Sequence, residues 1–312
     1  MKPKNAITDV GGIEVGHAQD ADALTGCTVV LCRKGAVAGV DVRGGAPGTR
    51  ETDLLDPVNL VEKVHAVVLA GGSAFGLDSA SGVMQYLQEK KIGFPVGRTR
   101  VPIVPAAILY DLGIGRADIR PDAAMGYRAA ASASSKKPEE GNVGAGTGAS
   151  VGKMRGMKFA MKSGIGTSSM DIQGTVIGAL VAVNAIGDVV DPGSGIKVAG
   201  MKTGTTLEWM KRNEAPRAVR SNTVIGVVAT NAKLSKAQAT KVAQMAQDGL
   251  ARAIRPSHTQ FDGDTIFTLA TGQREADVSL VGAFAAEVMA EAIVRAVKMA
   301  GPGGGLPGFL QE

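Results

Sequence analysis

The stretch SNTVIGVVATNAKLS, Ser221–Ser235, decides how the rest of the chain is read. Its apolar run from Thr223 to Thr230 has the character of a buried strand. Thr223 stands at the first step of that run, directly after Asn222, and a basic, polar lead-in, KRNEAPRAVR, precedes it. A hydroxyl at the mouth of a strand is ordinarily an edge residue. It can also be a nucleophile whose own amino group has yet to be released.

Working outward, Ser235 is placed to cap an amphipathic helix, SKAQATKVAQMAQDGLARAI. The strand DTIFTLATG and a last helix, VSLVGAFAAEVMAEAIVRAVKMA, follow it, and the tail GPGGGLPGFLQE reads as a mobile loop. Upstream, TVIGALVAVN is a further strand, and the irregular stretch from Gly200 to Arg220 holds one short helix, TTLEWMK, and an exposed connector. The first half is dominated by short apolar runs, CTVVLC, AVAGVDV, HAVVLAGG and VPIVPAAILYDL, all with strand character. One helix, SAFGLDSASGVMQYLQEKK, interrupts them, with Ser73 available as its N-cap. No repeat of fixed period occurs and β-α alternation is irregular, so the expected class is α+β, a layered sandwich rather than a doubly wound sheet.

The 312 residues are 45% hydrophobic, enough for one large core, but only 4% aromatic, while 43 are glycine. The interior is therefore built from aliphatic side chains and close backbone approaches. A net charge of +5, with both signs interleaved, argues against nucleic-acid binding. No window reaches the roughly 18 apolar residues of a membrane span. MKPKNAITDVGG lacks a signal-peptide core, so no membrane association and a cytoplasmic protein are expected. Cys27 and Cys32 have no histidine cluster nearby and read as buried thiols.

Several familiar motifs nearly form and fail. GGSAFG has Ser73 where a dinucleotide fingerprint needs glycine, and Phe75 where a nucleophile elbow needs it. GAGTGASVGK has Thr147 at the first glycine of a phosphate loop and Met154 at its magnesium-binding hydroxyl. The histidines, His17, His65 and His258, lie far apart, and His65 opens an apolar strand as a structural residue would.

Thr223 has a chemistry of its own. An N-terminal residue carries a base in its α-amine, whose unperturbed pKa of about 7.7–8.0 lies close to operating pH. Thr223 is internal, so that base exists only after the Asn222–Thr223 bond is cut. Attack of the Thr223 hydroxyl on the Asn222 carbonyl, followed by ester hydrolysis, would cut it. Strand propensity alone accounts for a threonine here, and the residue by itself does not decide the matter.

Six segments decide it by resemblance. DVRGGAPGTRETDLL (41–55), VVLAGGSAFGLDSASGV (67–83), GNVGAGTGAS (141–150), KSGIGTSS (162–169), GALVAVNAIGDVVDP (178–192) and NTVIGVVATNAKL (222–234) together resemble the DmpA family, peptidase family S58. The family contains L-aminopeptidase/D-esterases, β-peptidyl aminopeptidases and nylon-oligomer hydrolases, and the Asn222–Thr223 junction is similar to the nylon-oligomer branch. The resemblance implies a four-layer αββα sandwich similar to N-terminal-nucleophile hydrolases. It further implies one catalytic domain, 1–312, that cleaves itself into 1–222 and 223–312 and assembles as a homotetramer or larger.

By the same resemblance Thr223 is the nucleophile, Asn184 holds the oxyanion, and Asp262 and Asp264 match the acidic pair of the nylon-oligomer enzymes. An active-site lysine maps to Lys162, with Lys153 as the alternative. No cofactor or metal is implied, and the substrate is a small peptide or an amide oligomer such as a 6-aminohexanoate oligomer. Where aminopeptidase members carry a glutamate for the substrate's amino terminus, this chain has Pro105, Ala106 and Ala107. That leans the expectation toward endo-acting or broad amide hydrolysis, with Asp111 as a carboxylate that could still reach in. Aminopeptidase action, acyl transfer like that of ornithine acetyltransferases, and a glycine-rich ligand-binding protein that never cleaves remain as alternatives.

Overall fold

Alternation along Thr223–Ala232 sends Val224 and Val228 to one face of a sheet and Ile225, Val227 and Ala229 to the other, with both faces buried. A strand covered on both sides needs a layer above and below it. The computed structural model, which describes residues 3–212 and 222–310, shows how those layers arise. The lead-in from 213 to 221 lies outside the described residues.

Nine strands form one mixed sheet: β1 (Glu14–Asp20), β2 (Thr25–Val42), β3 (Thr49–Arg50), β4 (Lys63–Ala70), β5 (Ala106–Ile108), β6 (Ile165–Ile172), β7 (Thr175–Asn184), β8 (Thr223–Ala232) and β9 (Thr265–Arg274). Their order is β6-β7-β8-β9-β2-β4-β5-β3, with β1 paired to β2. The helices are α1 (Ser79–Glu89), α2 (Ala123–Ser132), α3 (Thr206–Met210), α4 (Lys236–Ala253) and α5 (Val278–Lys298).

The long strand β2 turns this sheet into two layers. Its first half pairs with β1 and β4, its second half pairs with β9, and the register slips between Leu31 and Ala36. The sheet folds over along that strand. Leu180, Ile225, Val227 and Phe267 from one half thereby meet Val30, Val67 and Leu69 from the other in a central apolar layer. Outside it, α4 and α5 cover Val181, Val183, Val224, Val228 and Ile266. On the opposite face, α1 and α2 cover Cys27, Val29, Leu31 and Val68. The result is the four-layer αββα sandwich.

Local signals explain most boundaries. Ser235 caps α4 in a capping box with Gln238, as its position suggested. The short helix in TTLEWMK is α3. Cys27 and Cys32 are buried free thiols, both pushed up to about 12 by burial.

Two expectations fail. Ser73 is not an N-cap, because the chain turns left-handed through Gly72 (φ 80°) and Ser73 (φ 54°) into a 3-10 turn, and α1 begins at Ser79. The tail, described to Leu310, is a loop as expected, but it is tied down where a mobile one was expected. Pro307 accepts a hydrogen bond from Lys162 N (2.8 Å), Phe309 N donates to Ala300 O (3.0 Å), and Leu306 is buried.

Candidate functional site

The site forms where three strands meet end to end. The last residue of β7, Asn184, lies directly opposite the first residue of β8, Thr223. The loop entering β9 then extends the ladder backward on the other side of β8. Asn222 N donates to Phe261 O (2.9 Å) and Gly263 N donates to Asn222 O (2.8 Å). The Thr223 hydroxyl also donates to the Asn222 carbonyl oxygen, so that carbonyl is gripped from two directions. Residue 263 must be glycine. A Cβ there would stand 2.9 Å from Thr223 Oγ1 and 2.6 Å from Ala46 O.

Two carboxylates flank this carbonyl, both 1% exposed. Asp264 Oδ1 accepts Val224 N–H (2.8 Å), and its Oδ2 accepts the backbone N–H of His258 (3.1 Å) and pairs with His258 Nδ1 (2.8 Å). Asp262 is held by the residue after that histidine, since its Oδ2 accepts both the N–H (3.0 Å) and the hydroxyl of Thr259. Burial, and then the charge of Asp264, push Asp262 up to about 6.

On the other side of Thr223, Asn184 is fully buried and its amide is fixed. Its Oδ1 accepts Ser150 N–H (3.1 Å) and Lys153 Nζ (2.8 Å), while its Nδ2 donates to Tyr110 O (2.8 Å). Lys153 also reaches the Asn184 backbone carbonyl (2.8 Å). Burial pulls its ammonium down to about 7, against the opposing pull of Asp262 and Asp111. Tyr110, Ser150 and Lys153, with Asp111, Ile114 and Met157, line a small cavity beside Asn184.

The structure thus brings together Thr223, Asn222, Asn184, Asp262 and Asp264. It separates the two lysines. Lys162 Nζ donates to the backbone carbonyls of Ala149 (2.9 Å), Ser163 (3.2 Å) and Gly146 (3.5 Å), and Lys153 is the one on Asn184. Asp111 accepts Gly72 N–H (2.7 Å) and the Thr25 hydroxyl (2.7 Å) while lining the cavity beside Asn184, and Ala106 and Ala107 are buried in β5. Among the described residues, no group of three His, Cys, Asp or Glu side chains is placed to hold a metal ion. No described helix is long and apolar enough to cross a membrane.

Sequence reasoning passed over His258, Thr259, Gly263 and Tyr110. For Thr259 a signal existed, because a threonine three residues before an aspartate is spaced for a local side-chain turn. Nothing local marked His258 or Tyr110, which reach the site from loops.

Residues 5–308 match the model described as peptidase family S58. An uncharacterized aminopeptidase of Mycobacterium leprae is 43% identical, over 98% of this chain and 94% of its own length. A 6-aminohexanoate-oligomer endohydrolase of a Kocuria species is 28% identical, over 93% of this chain and 85% of its own. The solved structure of an L-aminopeptidase D-Ala-esterase/amidase from Ochrobactrum anthropi, described as a variant of the Ntn hydrolase fold, superposes with a TM-score of 0.75 at 21% identity. That superposition covers 98% of this chain and 89% of the other.

Proposed function

Because the chain belongs to peptidase family S58, whose members place it among amide-bond hydrolases, we propose that it matures by cutting its own Asn222–Thr223 bond and then works through the freed Thr223. The observation that carries this reading is the Asn222 carbonyl, held by Gly263 N–H at 2.8 Å with the Thr223 hydroxyl on the same oxygen. In the first step Thr223 Oγ1 bonds to the Asn222 carbonyl carbon and the C–N bond breaks. The hydroxyl proton ends on the departing nitrogen, and Gly263 N–H stabilises the charge that builds on oxygen. Water then splits the ester, leaving an Asn222 carboxylate and a free Thr223 α-amine.

In turnover the α-amine takes the hydroxyl proton as Oγ1 attacks a substrate amide, and the proton passes to the leaving amine. Asn184 is the oxyanion donor, because an amide nitrogen has two hydrogens and only one is needed by Tyr110 O. Lys153 is the active-site lysine in this reading. It holds Asn184 in place, and an ammonium poised near 7 can share a proton with the site. Water releases the acyl group. The enzyme is proposed to work as an oligomer of cleaved protomers.

The substrate class is a small peptide or amide oligomer. A strict aminopeptidase is the second reading, favoured by the name of the 43% identical relative. Against it stand the buried Ala106 and Ala107, which offer no carboxylate where aminopeptidase members carry a glutamate. Intact-mass analysis tests the mechanism: wild type should resolve into two fragments divided at 222/223, and Thr223→Ala into one inactive chain. A full-length, active wild type would overturn it. Hydrolysis of free-amine dipeptide amides against the same compounds N-acylated decides between the substrate readings.

A further inference from the structure

The two aspartates are not held alike by accident of packing. Consecutive residues, His258 and Thr259, each give one aspartate both a backbone N–H and a side-chain group. We infer that His258 is a positioning residue for the reaction, acting through Asp264 on the Thr223–Val224 peptide. The inference rests on the Thr223 reading above and adds a residue to it.

The chain of contacts is short and buried. His258 Nδ1 and N hold Asp264 Oδ2 at 2.8 and 3.1 Å, and the other oxygen of that carboxylate takes Val224 N–H at 2.8 Å. A carboxylate held at one oxygen by two donors cannot rotate, so its second oxygen is a fixed acceptor. What it fixes is the amide that follows the nucleophile.

That amide gains importance at maturation. While the Asn222–Thr223 bond is intact, Thr223 is tethered on both sides. Once the bond is cut, Val224 is its only covalent neighbour, and the Val224 N–H···Asp264 bond restrains the peptide that joins them. It sets how the α-amine and Oγ1 are aimed, and a misplacement of about 1 Å in a reacting group can cost on the order of 10²-fold in rate. Turnover should therefore depend on His258 more steeply than self-cleavage does.

His258 has a left-handed backbone, φ 56°, which non-glycine residues seldom adopt and asparagine accepts best. This supplies a matched pair of variants. His258→Asn puts an amide N–H close to the place of imidazole Nδ1 and suits that backbone. His258→Gln carries the same amide one methylene further out, near the place of Nε2, where it does not face Asp264.

The experiment measures kcat and KM on an amide substrate, together with the fraction cleaved, for wild type, His258→Ala, His258→Asn and His258→Gln, with Thr223→Ala in parallel. The expected result is a fall in kcat of roughly 30- to 100-fold in His258→Ala with KM within about twofold. His258→Asn should recover at least tenfold of that, while His258→Gln stays near the alanine level and all three still cleave. If His258→Ala does not fold, the Asn and Gln variants decide by themselves. Equal kcat in Asn and Gln, or a change confined to KM, overturns the role of His258. An active Thr223→Ala instead overturns the nucleophile, so the two failures are distinguishable.

Discussion

Lys153 and Lys162 lie in neighbouring glycine-rich segments, both are buried, and burial pulls both down to about 7. Their surroundings differ. Lys153 meets a side chain, Asn184, beside the cavity at the head of β8, and it feels Asp262. Lys162 meets backbone carbonyls, Ala149, Ser163 and Gly146, and its own N–H takes the tail at Pro307. An equal proton affinity therefore says nothing about equal work. What each ammonium can do is set by whether its partners are reacting groups or the loop that carries them.

Lys153→Met is the largest test of that difference. It removes the group on Asn184 while keeping the volume, and kcat should fall about 10²- to 10³-fold, within the range of a lost acid–base or electrostatic residue. Folding should survive, as judged by an unchanged far-UV spectrum. A Lys153→Met enzyme within tenfold of wild type would erase the distinction between the two lysines.

Lys162→Met should reverse the balance of effects. Three carbonyls lose a donor, and stability should drop by about 2 kcal/mol in urea unfolding. Activity should fall no more than about tenfold, because the loss reaches Asn184 indirectly, through the Ala149–Ser150 segment whose Ser150 N–H seats the amide and through the charge that Lys153 feels. Were activity to vanish with stability intact, Lys162 would belong to the chemistry after all.

The stability of these two proteins should also separate with pH. In the unfolded chain a lysine titrates near 10.4, and in the folded one Lys162 titrates at about 7. Between those values the unfolded state binds the extra proton, so the contribution of Lys162 to stability rises with pH. It is smallest below pH 7 and complete above about 10.4. Wild type should therefore gain on Lys162→Met as pH rises from 7 to 9. A constant or shrinking gap in thermal midpoint would contradict the depressed lysine.

The same contrast explains what was legible in the sequence. Thr223 was legible as a hydroxyl at a strand mouth, whereas Asn184, Asp262 and Asp264 were named only through the resemblance carried by the six segments. The strand pattern gave a layered α+β sandwich, and the resemblance supplied its four αββα layers. That Asn184 faces Thr223 was not readable, since it depends on the pairing of strands 39 residues apart in the chain. The choice between Lys153 and Lys162 was hidden for a similar reason. The three carbonyls on Lys162 Nζ belong to loop backbone, which carries no side-chain signature, and Lys153 finds its partner 31 residues on, at the end of β7. Ser73 misled because a serine before a helix is a cap only if the chain enters extended, and here it enters left-handed from Gly72.

The smallest expected effect is also the most selective. Asp262 raises the proton affinity of Lys153, Asp111 raises that of both lysines, and the charge of Lys162 itself lowers that of Lys153. Asp262→Asn should thus lower the titration midpoint of Lys153 further below 7 and leave that of Lys162 in place, while Asp111→Asn should lower both. Side-chain nitrogen-15 NMR of the lysines, with Lys153→Met and Lys162→Met for assignment, reads this directly. If Asp262→Asn moves both resonances together, the two lysines share one electrostatic environment, and the division of the site into a reacting side and a supporting side fails. If it moves only Lys153, the charge of Asp262 crosses the strand ends at Thr223 to reach the lysine on Asn184. The acidic pair and Lys153 would then act on Thr223 as one coupled system.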